Sequence, residues 1–162
     1  MIIRPSTYAD IPALLAIFSH ARQQMASDGN ASQWGRHYPS CEQLEDDIQR
    51  GVSYVIEHNN LAVATFVFIL GEDPTYDIIE DGAWLNDLPY GTIHRIASNG
   101  QFSGIFSSVL SWCTAHCNNI RIDTHKDNTR MLHLIEKHGF TRCGIIYTRG
   151  GSPRIAYQSR VL

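Results

Sequence analysis

Lysine is nearly missing from this chain: of its thirteen basic residues only Lys126 and Lys137 are lysines. The others are arginines, which suit fixed hydrogen-bonding roles. A basic excess is missing as well. The formal net charge is -3, which argues against a nucleic-acid partner, because such partners call for a basic face. Long apolar runs are also lacking. The longest candidate, Leu61 to Leu70, includes Thr65 and falls short of the roughly 20 residues that span a bilayer, so no membrane role is expected. Met1 to Thr7 has neither the basic start nor the apolar core of a signal peptide. Four cysteines in a chain of this length are too few for a disulfide framework and read as reduced thiols, which places the protein in the cytoplasm. Cys113, His116 and Cys117 have a spacing that suggests metal. However, both cysteines continue an apolar helical stripe, and we expect buried thiols and no metal.

What is present describes an ordinary folded chain. Its 162 residues, 43% hydrophobic and 18% charged, can bury a core and are read as one domain, 1–162. Ile2-Ile-Arg is a short first strand. Thr7, Asp10 and Pro12 then open a helix whose stripe is Ile11, Leu14, Leu15, Phe18, Arg22 and Met25, ending before Asp28-Gly29-Asn30. Residues 31–39, with Trp34, Tyr38 and Pro39, form a loop. Ser40 caps a short helix closed by Gly51. Val52, Tyr54 and Ile56 alternate as a strand, His58-Asn59-Asn60 turns, and Leu61 to Leu70 returns as a hairpin partner.

Residues 71–91 differ in kind. They hold six acidic residues and no Lys or Arg, with Tyr76, Trp84 and Tyr90 interleaved. The plain reading is a solvated loop. The sharper one is a wall for a cationic or amine ligand, recognised by charge attraction and cation–π contact. Trp34, Tyr76, Asp81 and Trp84 are the candidates for that acceptor side.

The chain then reaches Ile93 to Ala97, a β-branched strand that runs into Ser98-Asn99-Gly100. Phe102, Ile105, Phe106, Val109, Leu110, Cys113 and Cys117 recur beyond it at helical spacing. A strand, a glycine turn and a helix therefore follow one another without a spacer. The free N–H groups and the positive dipole end of such a helix favour a phosphate. Ile120 to Thr124 is a further strand, and strand–helix–strand implies a parallel pair. Asp127 or Asn128 caps a helix with Met131, Leu132, Leu134 and Ile135 on its apolar side, ended by Gly139. Strands Thr141 to Thr148 and Arg154 to Val161 flank the turn Arg149-Gly-Gly-Ser-Pro153.

This order resembles the GNAT superfamily of acetyl-CoA-dependent N-acetyltransferases. Gln101-Phe-Ser-Gly104-Ile-Phe106 is similar to the family's pyrophosphate motif Q/R-x-x-G-x-G/A at Gln101 and Gly104, with Phe106 in place of a small residue. Asn128 to Phe140 is similar to N-x-x-A-x-x-L-Y-E-K-x-G-F, with Met131 and Ile135 where Ala and Tyr usually stand. The resemblance implies an α/β fold with a mixed central sheet flanked by helices. It also implies a V-shaped splay between the parallel strands Thr92–Ala97 and Ile120–Thr124. Acetyl-CoA would be the co-substrate. Its pantetheine arm would bond backbone near Ile96 and Ala97, and its pyrophosphate the amides of about Gln101, Phe102, Ser103, Gly104, Ile105 and Phe106. Asn128 would bond the arm, and Arg130 the 3′-phosphate.

The family commonly places a glutamate base three residues before the position of Ala97, which here is His94. An imidazole with a reference pKa near 6.5 can serve there. The usual tyrosine acid falls at Ile135, so Tyr147 or His125 would have to substitute, or water would protonate the thiolate. The expected activity is N-acetylation of a small-molecule amine. A peptide or protein amine acetyltransferase and a non-catalytic acyl-CoA-binding module are the alternatives. Trp112 and the C-terminal strands could form a homodimer contact.

Overall fold

Helix capping sets the first landmarks of the computed structural model, which describes residues 1–160. The Asp10 carboxylate accepts from the Thr7 amide at 2.7 Å and closes a 3-10 turn over Tyr8–Asp10. That turn leads into α1 (Ile11–Ser27), which has proline in its first turn, where a missing N–H costs nothing. Ser40 Oγ accepts from the Gln43 amide to start α2 (Cys41–Gln49). The strands are β1 (Ile2–Pro5), β2 (Ser53–His58), β3 (Leu61–Leu70), β4 (Gly91–Ser98), β5 (Ile120–Thr124), β6 (Thr141–Tyr147) and β7 (Pro153–Gln158). The remaining helices are α3 (Ile105–His116) and α4 (Thr129–Lys137). The sheet is mixed, in the order β1-β2-β3-β4-β5-β7-β6. Val161, expected at the end of the last strand, lies outside the described residues.

The chain divides into two compact units. The first is Met1–Phe68 with His94–Ile105. In it β1 and β2 pair antiparallel, as do β2 and β3. Asn59 and Asn60, at φ +50° and +63°, make the tight turn that the hairpin twist requires. Leu14, Ile17, Phe18, Leu44, Val55 and Ala97 form the core. Burial of each large member contributes roughly 1.5–3 kcal/mol. Arg4 donates to both oxygens of Asp10 at 2.8 Å and also to Glu57, tying β1 to the start of α1 and to β2.

The second unit comprises Ile69–Ile93 and the chain from Phe106 onward. Its parallel ladder is two pairs long, Gly91↔Ile120 and Thr92↔Arg121. The final hairpin has β7 antiparallel to both β5 and β6. Asn128 caps α4 through Oδ1, which accepts from the Met131 amide at 3.1 Å. Gly139, at φ +83°, takes the left-handed position that ends the helix.

Residues 71–91 form a packed strap rather than a loose loop. Glu80 and Ile145 exchange backbone hydrogen bonds at 2.9 and 2.8 Å. A Cβ built on Gly82 would stand 1.9 Å from the Cys143 carbonyl oxygen, so only glycine permits this approach. The helical stripe expected from Phe102 begins later, at Ile105. Gly104 has φ +74°, and a right-handed helix cannot continue back through it. Cys113 is fully buried and Cys117 half-buried. Among the described residues no group of His, Cys, Asp and Glu is arranged to hold a metal, and no helix is long and apolar enough to cross a membrane.

Candidate active site

The turn between β4 and α3 is built from its own side chains. Ser98 Oγ accepts from the Gly100 amide at 3.4 Å and Asn99 Oδ1 from the Gln101 amide at 3.1 Å. Asn99 in turn donates its amide to the Val63 carbonyl at 2.9 Å. The Gln101 donor is therefore already engaged, and the donors at the helix start come from residues further on. Gln101, Ser103 and Gly104 are exposed, whereas Phe102 is half-buried with its ring 4.7 Å from that of His58. A Cβ built on Gly104 meets nothing within 4 Å, so the space in front of this turn is open. α3 begins at Ile105 and runs twelve residues, long enough for its dipole and first amides to favour an anion. Ile105 and Phe106 are buried, with Phe106 edge-on to the His138 ring.

β4 carries a feature that periodicity did not anticipate. Arg95 sits inside the strand at φ +47°. An L-residue with a full side chain held there costs on the order of 1–3 kcal/mol. Alternation is lost at this point, and His94, Arg95 and Ile96 are half-buried in succession. The guanidinium is gripped on two sides. Nε and Nη2 donate to Asp47 Oδ2 and Oδ1 at 2.8 and 2.6 Å, and Nη1 donates to the Tyr38 hydroxyl at 3.0 Å. Asp47 is 1% exposed and also accepts from Gln43 Nε2 at 3.0 Å. Burial alone would lower the Arg95 pKa, but Tyr38 and Asp47 outweigh it and raise the value. Nothing in the sequence pattern marked Asp47, which reads there as one acid on the polar side of a short helix.

The first unit therefore holds His94, Ile96, Ala97, Gln101, Phe102, Ser103, Gly104 and Ile105, all on or next to one strand and turn. Trp34 belongs to the same unit, half-buried and edge-on to Phe18 at 5.6 Å. Phe106, Asn128, Arg130, Tyr147, Tyr76, Asp81 and Trp84 belong to the second unit. Tyr76 is 2% exposed, and its hydroxyl donates to Asp123 Oδ2 at 2.7 Å. This ring is thus part of the packing beneath the strap. Trp84 is half-buried, donates to the Tyr76 carbonyl, and with Tyr90 encloses the Arg121 guanidinium. Asp81 is exposed, as are Glu72, Asp77, Glu80 and Asp87. Tyr147 is exposed and donates to Glu80 Oε2 at 2.9 Å, a bond that raises its pKa and keeps its proton in place. Burial and the charge of Arg154 lower the His125 pKa. Arg130 is exposed on α4. The hydroxyls of Thr92 and Thr124 are buried without a hydrogen-bond partner among the described residues.

No family model and no curated protein matches the chain. Among solved structures, the chain is 30% identical to a GNAT-family acetyltransferase from Streptococcus agalactiae, with 98% of this chain and 94% of that one covered and a TM-score of 0.88. The chain belongs to the GNAT family. Two further structures share the fold. A GNAT-family acetyltransferase from Listeria monocytogenes is 18% identical with a TM-score of 0.70, covering 98% of this chain and 93% of that one. A ribosomal-protein-alanine N-acetyltransferase from Brucella melitensis is 19% identical with a TM-score of 0.66, both chains fully covered. As a GNAT protein the chain is an acetyltransferase, and GNAT acetyltransferases generally use acetyl-CoA. The residues present fit that group: the open space at Gly104 and the helix start behind it form the kind of cradle that a side chain would fill.

Proposed function

We propose that the protein transfers the acetyl group of acetyl-CoA to a primary amine of a small molecule. The observation that carries the reading is the turn at Gly104, left-handed and open, directly ahead of α3. The amides following Gln101 would hold the pyrophosphate, and the backbone of Ile96 and Ala97 would face the pantetheine arm. When bound, acetyl-CoA supplies a thioester-activated acetyl group.

His94 is the proposed base. It lies on β4 beside the left-handed residue, and its imidazole would take the proton of the incoming amine directly or through water. Tyr147 holds its proton at neutral pH, the state an acid requires, although its bond to Glu80 makes that proton harder to release. The five exposed carboxylates of the strap favour a cationic acceptor by charge attraction. The test is an acetyl-CoA consumption screen across small amines and basic peptides, with mass analysis of the products. A gain of one acetyl group on a small amine supports the reading. Thiol release only with peptides would move the acceptor class, and no release with any amine would reject the activity.

A further inference from the structure

Arg95 combines strain and restraint at one position. Its backbone is left-handed where neither glycine nor asparagine eases the cost. Its side chain is fixed by three hydrogen bonds to groups that belong to α2 and the loop before it. Asp47 is buried at 1% exposure, and its two oxygens receive three donors, two from Arg95 and one from Gln43. The Tyr38 end is anchored in its turn, since Arg22 Nη1 donates to the Tyr38 carbonyl at 3.2 Å. A backbone outlier held by a buried, two-pronged ion pair persists because its surroundings determine it. The residues on either side are His94 and Ile96, so whatever fixes Arg95 also fixes their direction.

We infer that Asp47 is a positioning residue: through Arg95 it holds the left-handed step of β4 and so sets the line of His94, Ile96 and Ala97. This inference rests on the acetyl-CoA reading above and adds to it a structural dependence of the cofactor-facing strand on α2. Removal of the second charge would let residue 95 relax toward the extended backbone that a strand prefers. The donors and acceptors of residues 94–97 would then turn away from the pantetheine arm. The pyrophosphate turn, held by Ser98 and Asn99, would keep its shape.

Calorimetric titration of two ligands separates these effects: coenzyme A, which has the pantetheine arm, and adenosine 3′,5′-bisphosphate, which lacks it. Asp47→Asn should lose on the order of tenfold or more in coenzyme A affinity while its nucleotide affinity stays unchanged. Arg95→Gly placed in the Asp47→Asn background should recover most of the loss, because glycine adopts a positive φ unaided. Equal losses for both ligands, or no loss for either, would overturn the inference. Should Asp47→Asn not fold, Tyr38→Phe carries the test, with a smaller loss confined to coenzyme A expected and identical affinities contradicting it. Failure of the unaltered protein to bind either ligand would sink the cofactor reading rather than the clamp. Amide hydrogen exchange at residues 94–97 then decides: faster exchange in the variant upholds the clamp, and unchanged exchange refutes it.

Discussion

The guanidinium carbon of Arg121 lies 4.1 Å from the centroid of the Trp84 ring and 4.0 Å from that of the Tyr90 ring. Arg121 is 5% exposed on β5, and its Nη2 donates to the Asn86 carbonyl at 2.9 Å. A β5 cation thus fastens the aromatic underside of a strap whose outer side is acidic. Two such contacts in a desolvated setting are worth about 1–3 kcal/mol together. Arg121→Met should lower the unfolding free energy by that amount, read as a lower urea midpoint at unchanged m-value. A midpoint equal to that of the unaltered protein would show that the strap does not depend on this cation.

Asp10 and Arg4 couple stability to pH. Hydrogen bonding to Arg4 holds the Asp10 carboxyl below its ordinary value of 3.8. A depressed carboxyl contributes stability that is present above its unfolded pKa and lost as pH falls through the folded one. Asp10→Asn should therefore cost about 1 kcal/mol at pH 7, allowing for solvent screening at partly exposed Arg4. The cost should shrink as pH falls below 3.8. Urea titrations at neutral and acidic pH check this, and a difference independent of pH would contradict it.

Burial pushes the Cys113 thiol up to about 12. Its thiolate fraction at pH 8 is negligible, and the thiolate is the reactive form. A disulfide exchange reagent at pH 8 should leave Cys113 unmodified in the native protein and modify it in urea. Native labelling of Cys113, read by peptide mass, would show that α3 opens readily.

Much of this architecture follows from local chemistry and is readable one stretch at a time. Ser40 and Asn128 mark helix starts because their side chains accept amides three residues on. Asn59 and Asn60 mark the hairpin because they tolerate positive φ. The start of α3 was less legible, since Phe102 falls on the apolar stripe and only the backbone angle at Gly104 excludes it. The placement of β7 beside β5 depends on long-range pairing, such as Ile122 with Tyr157, that no local signal encodes. Asp47 and Arg95 are separated by 48 positions, and a left-handed arginine has no mark in a strand pattern. The strap's order did leave a trace in Gly82, a glycine between Asp81 and Ala83 that only close backbone packing explains.

His94 carries the proton-transfer part of the proposal. His94→Ala should reduce kcat by about 10²- to 10⁴-fold while leaving acetyl-CoA affinity unchanged. Steady-state rates over pH 5 to 9, paired with binding titrations, measure both quantities. Turnover equal to that of the unaltered protein across that range would remove His94 from the mechanism.

The central claim is that the open turn at Gly104 binds acetyl-CoA, and titration of acetyl-CoA into the protein and two variants tests it most directly. The unaltered protein should show one saturable site per chain. Ligand at 100 times Kd should add about 2.7 kcal/mol to its folded stability. Gly104→Glu, which fills the open space, should bind no acetyl-CoA. Gly104→Ala, which imposes the same backbone strain with little bulk, should retain part of the affinity. Absence of binding by the unaltered protein, or undiminished binding by Gly104→Glu, would contradict the account.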